Sequence, residues 1–243
     1  MEKSLLVFGG SGFVGSAILK YAVSQGIKCM SISRSGKPRH PEPWQTNVEY
    51  IHGDALDQSS YINLIPKASG VIHSIGVLID SRTPLNISKT YQGSYEHMNR
   101  DTALKICELL EGKDKTFVFL SAERGMWFSP RYLQTKRQVE DYLAANRDKI
   151  PSVVLRPGFM FDSQDSTKNL LATGINMLNW GDGPLKWAGL NWVSETFVPS
   201  KSQHVDSVAK AAVLSALVPE FRGRTLNVSD IDEVAQKYEK FNA

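Results

Sequence analysis

A glycine-rich stretch near the start of the chain restricts the fold more than any other feature. Residues 9–15 read GGSGFVG and directly follow the short apolar run Ser4–Phe8. From Gly15 to Ser24, apolar side chains recur at helical spacing. A strand, a turn made of glycines and a helix form the opening half of a βαβ unit, so the sequence predicts a parallel sheet covered by helices.

The chain continues this alternation of strands and helices. Further strands are predicted over Ile27–Ser33, Val48–His52, Gly70–Ile75, Thr116–Ser121, Ser152–Leu155 and Arg224–Val228. Helices are predicted over Gly15–Ser24, Ser59–Ile65, Met98–Leu110, Arg131–Asn146 and Val205–Leu217. This order predicts an α/β fold with a doubly wound parallel sheet and helices on both faces.

Composition excludes several other classes of protein. The formal charge is +3, and no helix face is rich in arginine or lysine, so we expect no nucleic-acid partner. No apolar run approaches the length that crosses a bilayer. Cys29 and Cys107 lie within apolar elements, and the five histidines lack metal-ligand spacing. We therefore expect neither a disulfide framework nor a metal site.

The glycine stretch also has the spacing of a dinucleotide-binding turn, G-x-G-x-x-G from Gly10 or G-x-x-G-x-x-G from Gly9. Glycines let a pyrophosphate approach the backbone, and the following helix presents free N–H groups and the positive end of its dipole. The predicted pyrophosphate contacts are Gly9, Gly10, Ser11, Gly12, Phe13, Val14 and Gly15. The alternative is a glycine-rich turn that binds nothing.

The residues after the second predicted strand indicate which dinucleotide is bound. An acidic residue here would hold the ribose hydroxyls of NAD, whereas residues 33–37 read SRSGK. The Arg34 guanidinium, with the Ser33 hydroxyl nearby, suits a 2′-phosphate, so NADP(H) is favoured over NAD(H). The alternative is that Arg34 and Lys37 belong to a solvated loop.

Four further candidate residues lie at the ends of the third and fourth predicted strands. Asp54 would accept a hydrogen bond from the adenine amino group, or would act as a turn residue. His73, Ser74 and Gly76 should line the adenosine ribose, although a histidine in this place is more often a satisfied core residue.

A candidate proton relay lies on a later helix. Tyr132 and Lys136 are four residues apart, which places both side chains on one face of the predicted helix. A phenol beside an ammonium makes a proton donor usable near neutral pH. The alternatives are a chance pair, or a pair that binds the nicotinamide ribose in a protein without turnover.

Four ordered motifs together resemble the short-chain dehydrogenase/reductases, in particular their extended and atypical branches. They are the glycine turn, Y-x-x-x-K at 132–136, RPG at 156–158 and HVDxVA at 204–209, and they span nearly the whole chain. The resemblance implies one Rossmann domain over residues 1–243, with 159–203 and 218–243 forming a reduced C-terminal substrate lobe.

The resemblance also implies roles for individual residues. Tyr132 would be the acid/base, Lys136 would lower its pKa and hold the nicotinamide ribose, and Pro157 and Gly158 would abut the nicotinamide. The family's carbonyl-orienting serine has Ser121 as its candidate. However, that serine usually lies one or two positions later, where this chain has alanine and glutamate.

A finer similarity concerns a fungal mitochondrial group of this fold linked to coenzyme Q (ubiquinone) biosynthesis. It is carried by VFGGSGFVG, SISRSGKP, VIHSIGVL, FLSAERG, YLQTKRQVE and VLRPGFMFD. A more distant similarity is to the NADPH-binding accessory subunit of respiratory complex I. The similarity implies a peripheral protein on the matrix side of the mitochondrial inner membrane, in contact with coenzyme Q biosynthesis proteins. Because the first strand starts almost at Met1, no cleavable transit peptide is expected.

The tryptophan-rich segment Trp180–Trp192 has two interpretations. It would form an apolar wall for a prenylated quinone intermediate or a patch that docks a partner or membrane, or it would be core packing.

The sequence therefore predicts an NADP(H)-binding protein of ubiquinone biosynthesis that transfers a hydride to or from a carbonyl or quinone-like ring. One alternative is a non-catalytic nucleotide-binding subunit that stabilises or regulates the ubiquinone-synthesising assembly, which Ala122 and Glu123 favour. Another is a soluble reductase or epimerase acting on a nucleotide sugar, against which the short substrate lobe argues.

Overall fold

Seven parallel strands form the central sheet of the protein. The computed structural model describes residues 3–38, 41–77, 94–123, 130–162 and 202–237. Within these ranges the strands are β1 (Ser4–Phe8), β2 (Lys28–Ser33), β3 (Val48–His52), β4 (Gly70–His73), β5 (Thr116–Leu120), β6 (Ser152–Leu155), β7 (Phe159–Phe161), β8 (Ser202–His204) and β9 (Thr225–Leu226). The sheet order is β3-β2-β1-β4-β5-β6-β9, while β7 and β8 form a separate pair.

Helices cover both faces of this sheet. They are α1 (Phe13–Ser24), α2 (Thr102–Leu110), α3 (Pro130–Ala145), α4 (Val205–Leu217) and α5 (Val228–Lys237). One apolar core includes Ile18 of α1 and Val208 of α4, and the other includes Ile106 of α2 and Val139 of α3. Side chains of β1 alternate between the two cores, as a strand buried on both faces requires. The structure confirms the predicted doubly wound α/β sheet.

One predicted helix is wrong. Residues 58–67 form two short 3₁₀ turns, Gln58–Ser60 and Ile65–Lys67, instead of a helix over Ser59–Ile65. Pro66 lacks an N–H and disfavours helical backbone before it. The Asp57 side chain accepts the Ser59 N–H at 3.1 Å and so caps the start of the first turn.

A second difference lies before α2. The predicted helix Met98–Leu110 begins earlier, as a π-helical turn over Glu96–Asp101 that continues into α2. A π-helical turn contains about one extra residue per turn and is frequent at functional sites. This turn borders the candidate site described below.

The predicted substrate lobe lies partly outside the described residues, as does the whole segment Trp180–Trp192. In the described part of 218–243, β9 pairs with β6 in the main sheet and α5 packs against α4. The lobe stays a prediction. In the part of the chain that the structure covers, each helix is too short or too polar to span a bilayer.

Candidate functional site

A cavity of about 530 Å³ opens at the carboxyl edge of the sheet. The strand order reverses between β1 and β4, and such a switch point is where open α/β sheets bind ligands. The cavity is lined by Gly9, Ser11, Gly12, Ile32, Ser33, Arg34, Ser35, Gly53, Asp54, Ala55, Leu56, Ser74, Ile75, Gly76, His97, Met98 and Thr102. Most of the predicted cofactor residues from the first four strands therefore meet here.

The glycines of the 9–15 turn serve different purposes. A Cβ on Gly10 would lie 2.2 Å from the Ser31 hydroxyl oxygen, and one on Gly15 would lie 2.3 Å from the Gly9 carbonyl oxygen. These two glycines are required by packing within the protein. A Cβ on Gly12 would meet only the Gly9 oxygen, at 3.2 Å, so Gly12 is the position that keeps the backbone open to the cavity.

The first turn of α1 suits a pyrophosphate. Gly12 is the N-cap and has no side chain to occupy the free amides, and the first turn contains no acidic residue. Phe13 and Val14 belong to this turn and do not line the cavity. A glycine cradle with an uncapped helix start fits the charge and shape of a dinucleotide.

The turn after β2 carries the group predicted to select NADP(H). The Gly36 N–H donates to the Ser33 carbonyl oxygen at 3.1 Å, and Gly36 has a φ of +61°, which explains the glycine. Arg34 is exposed and lines the cavity, and among the described residues no carboxylate forms an ion pair with it. Its guanidinium is therefore available to a phosphate.

Asp54 also lines the cavity. One carboxylate oxygen accepts the Leu56 N–H at 3.0 Å. This hydrogen bond is the one expected if Asp54 is a turn residue. The position of Asp54 in the cavity lining is also compatible with a hydrogen bond from the adenine amino group.

His73 is fully buried and does not line the cavity. Its Nε2 lies 2.9 Å from the Thr102 hydroxyl, which donates to the Met98 carbonyl oxygen at 2.8 Å, so Nε2 carries the proton. Burial, followed by the nearby Lys136, holds the pKa of His73 well below its usual range. This geometry corresponds to the core alternative and not to a ribose contact, because the side chain points from β4 into the core beside Phe119.

Ser74 and Gly76 line the cavity as predicted. The Ser74 hydroxyl donates to the Phe8 carbonyl oxygen at 2.7 Å, which joins the ends of β4 and β1. A Cβ on Gly76 would lie 3.2 Å from Asn99 Oδ1 and 3.4 Å from Lys136 Nζ, so Gly76 brings the cavity wall close to the lysine.

Sequence reasoning missed Asn99 and His97. Asn99 is buried, accepts the Val77 N–H at 2.9 Å and donates to the Val77 carbonyl oxygen at 3.3 Å. The π-helical turn places His97 and Thr102, five residues apart, on the same cavity wall. The signal for Asn99 and His97 in the sequence is the polar run EHMNRD at 96–101, directly before an apolar helix.

Lys136 lies under this wall and is only 3% exposed. Its Nζ donates to the Leu120 carbonyl oxygen at 2.8 Å and lies 4.9 Å from the centre of the Phe119 ring. Burial lowers the pKa of Lys136 to about 7, and the Glu140 carboxylate partly opposes this effect. A lysine poised near neutral pH in a site is a functional candidate.

Tyr132 is also buried on the same face of α3. Its ring packs edge-to-face on Tyr95, with centroids 5.9 Å apart. Burial, and then Tyr95, raises the pKa of Tyr132 to about 12. The expected lowering of this pKa by Lys136 is absent in the structure, since the ammonium donates to the Leu120 carbonyl oxygen.

The remaining predicted site residues, Ser121, Pro157 and Gly158, lie just after the ends of β5 and β6. The Ser121 hydroxyl donates to the Glu140 carboxylate and is buried, so it is not presented to a substrate carbonyl. The Pro157 carbonyl oxygen accepts the Glu123 N–H at 2.9 Å, and the Gly158 N–H lies 3.4 Å from Gln203 Oε1. Pro157 and Gly158 are thus fixed beside the end of β5.

Comparison with known proteins gives the chain a family. A sequence profile described as the NAD dependent epimerase/dehydratase family matches residues 5–126, half of the chain. MIOREX complex component 2 of Saccharomyces cerevisiae is 26% identical over 269 residues, covering 92% of this chain and 96% of that protein. An uncharacterised chloroplastic protein of Arabidopsis thaliana is 31% identical over 165 residues, which are 66% of this chain and 51% of that protein.

Solved structures share the fold at low identity. A short-chain dehydrogenase/reductase superfamily protein from Agrobacterium tumefaciens with bound NAD has a TM-score of 0.63 at 19% identity, covering 96% of this chain and 81% of that one. MoeE5 in complex with UDP-glucose and NAD has a TM-score of 0.64 at 16% identity, with the same two coverages. At these identities the likeness establishes the Rossmann-like fold alone.

Proposed function

The chain belongs to the NAD dependent epimerase/dehydratase family, and from that premise we propose that its cavity binds NADP(H) in preference to NAD(H). The observation that carries this proposal is the position of Arg34 on the same cavity as Gly12 and the start of α1. The pyrophosphate would lie on the helix start, and the 2′-phosphate would lie on the guanidinium.

Replacing Arg34 with alanine tests the preference. We expect NADPH affinity to fall about 10- to 100-fold, the usual value of a hydrogen bond to a charged group, with NADH affinity nearly unchanged. Fluorescence titration with each nucleotide measures both. Arg147, an exposed arginine in the turn that follows α3, provides the matched control, and Arg147→Ala should change neither affinity. Equal losses for both nucleotides would contradict a 2′-phosphate contact.

We further propose that the protein transfers a hydride to or from a carbonyl or quinone-like ring in mitochondrial ubiquinone biosynthesis. Bound nicotinamide would supply or accept the hydride. Tyr132 would supply or accept the matching proton, and Lys136 would hold the nicotinamide ribose. The segment similarities to the ubiquinone-linked group support the pathway, and the similarity to a protein named as a complex component supports membership of an assembly. A peripheral position on the matrix side of the inner membrane belongs to the same proposal.

A second candidate function is a non-catalytic nucleotide-binding subunit of that assembly. Two observations favour it: the Ser121 hydroxyl is engaged by Glu140, and the pKa of Tyr132 is raised to about 12 by burial. Under this function, Tyr132 and Lys136 would bind the nicotinamide ribose without turnover.

Tyr132→Phe separates the two functions. The variant removes the phenol hydroxyl and keeps the ring that packs on Tyr95. We expect NADPH affinity within about 10-fold of the wild type, because a neutral hydrogen bond contributes only about 0.5–1.5 kcal/mol. We also expect loss of ubiquinone in cells that depend on the chain. Normal ubiquinone content with this variant would refute the chemistry and favour the non-catalytic subunit.

A further inference from the structure

The buried carboxylate of Glu140 accepts hydrogen bonds from several polar and charged side chains near the ends of β5 and β6. Glu140 lies one helical turn after Lys136 on the same face of α3 and is 8% exposed. It accepts the Ser121 hydroxyl, an N–H group of Arg137 and the guanidinium of Arg156, whose Nε lies 3.2 and 3.1 Å from its two oxygens. A carboxylate this buried needs such partners to stay ionised.

These contacts join three segments of the chain. Arg156 is the first residue after β6, and its backbone N–H donates to the Leu226 carbonyl oxygen at 2.8 Å. Arg137 donates to the Ala122 and Glu123 carbonyl oxygens at 3.0 and 3.1 Å, in the segment after β5. Glu140 therefore holds α3 against the ends of both strands.

The charges around Glu140 keep its carboxylate ionised and therefore hold these contacts in place. Burial alone would raise the pKa of Glu140, but hydrogen bonds from Arg156 and Ser121 and the two guanidiniums outweigh it and hold that pKa below its usual range. The ionised carboxylate in turn raises the pKa of Lys136 against burial, while His73 faces the lysine from β4.

We infer that Glu140 is a positioning residue for the part of the site that would bind nicotinamide. It fixes the position of Lys136 relative to the Pro157–Gly158 turn. The inference rests on the proposed dinucleotide binding. It also assigns Ser121 to this contact, so the serine holds the carboxylate and does not orient a substrate.

Glu140→Gln tests this role, with NADPH and 2′,5′-ADP as the two ligands. The second ligand has the adenosine and its phosphates but no nicotinamide. We expect NADPH affinity to fall at least about 10-fold and the fluorescence enhancement of the nicotinamide to decrease, with 2′,5′-ADP affinity within about twofold of the wild type. Parallel loss of both ligands, or no loss of either, would overturn the inference.

Three companion variants keep the test decisive. Arg156→Lys retains the charge but loses the two-point guanidinium contact, and it should reproduce the NADPH-specific loss even if Glu140→Gln fails to fold. Asp114→Asn breaks an exposed ion pair with Arg222 near the start of β5 and should change neither affinity. Ser121→Ala removes one donor to the carboxylate and should give a smaller loss of NADPH affinity, with 2′,5′-ADP affinity unchanged. A wild-type chain that binds neither ligand would overturn the proposed function and the inference with it.

Discussion

Replacing Lys136 with methionine is expected to stabilise the folded protein by up to about 4 kcal/mol at pH 7 while weakening dinucleotide binding. The pKa of this lysine falls from 10.5 to about 7 on folding because its ammonium is buried. Each pKa unit corresponds to about 1.4 kcal/mol, so burying the charge costs about 5 kcal/mol at most. Losing the hydrogen bond to the Leu120 carbonyl oxygen, at 2.8 Å, offsets roughly 1 kcal/mol of the gain.

The stability difference between Lys136→Met and the wild type should depend on pH. Below the folded pKa of about 7, the lysine is protonated in both states and the whole cost is present. Between pH 7 and 10.5, the unfolded chain binds more protons than the folded one, so wild-type stability rises with pH. The advantage of methionine should therefore shrink across this window and vanish near its upper end.

Urea unfolding of both proteins at pH 7 and near pH 10 measures this difference. Lys20→Met, at an exposed position on α1, should show no comparable change with pH. A methionine variant that is no more stable than the wild type at pH 7 would contradict the buried charge. Retention of a lysine that destabilises the fold is expected where the ammonium has a function.

Gly12→Ala is expected to weaken dinucleotide binding by about 100-fold or more, while the protein still folds. The φ of Gly12 is −83°, which any residue adopts, and the new Cβ would meet only the Gly9 carbonyl oxygen, at 3.2 Å. The methyl group would project where the pyrophosphate must approach the backbone, at the start of α1. We expect a loss of stability near 1 kcal/mol or less.

Gly15→Ala is expected to act through the fold itself. Its Cβ would lie 2.3 Å from the Gly9 carbonyl oxygen and 2.7 Å from the Ser74 hydroxyl oxygen, so backbone must move. Overpacking of this kind costs about 3 kcal/mol or more. Gly26→Ala is the control, because its φ is +72° with open space around it, and it should cost about 1 kcal/mol without changing binding. NADPH titration and urea unfolding of the three variants distinguish the roles, and wild-type affinity in Gly12→Ala would contradict the cradle.

The strands could be predicted because their sequences carry the signal locally. Ser4–Phe8, Val48–His52 and Ser152–Leu155 have the predicted bounds, since each is a short run rich in β-branched or other apolar residues. The helix over Ser59–Ile65 is absent because Pro66, which lacks an N–H and disfavours helical backbone before it, outweighs a short apolar periodicity.

The site was only partly accessible from sequence. The glycine turn and Arg34 act within one βαβ unit, so their spacing shows their arrangement. The contact between Ser121 and Glu140 joins residues 19 positions apart, and Asn99 reaches Val77 across 22 positions. No local pattern encodes such pairings, because they depend on how α3 and the π-helical turn pack against the strand ends.

Titration of the purified chain with NADPH and with NADH, followed by nicotinamide fluorescence, is the direct test of NADP(H) binding. We expect saturable NADPH binding at least about 10-fold tighter than NADH binding, in keeping with one charged contact to the 2′-phosphate. Competition by 2′,5′-ADP should displace the bound NADPH. Absence of binding by either dinucleotide would contradict the account, and would mean that the glycine turn serves only to pack α1 against the sheet.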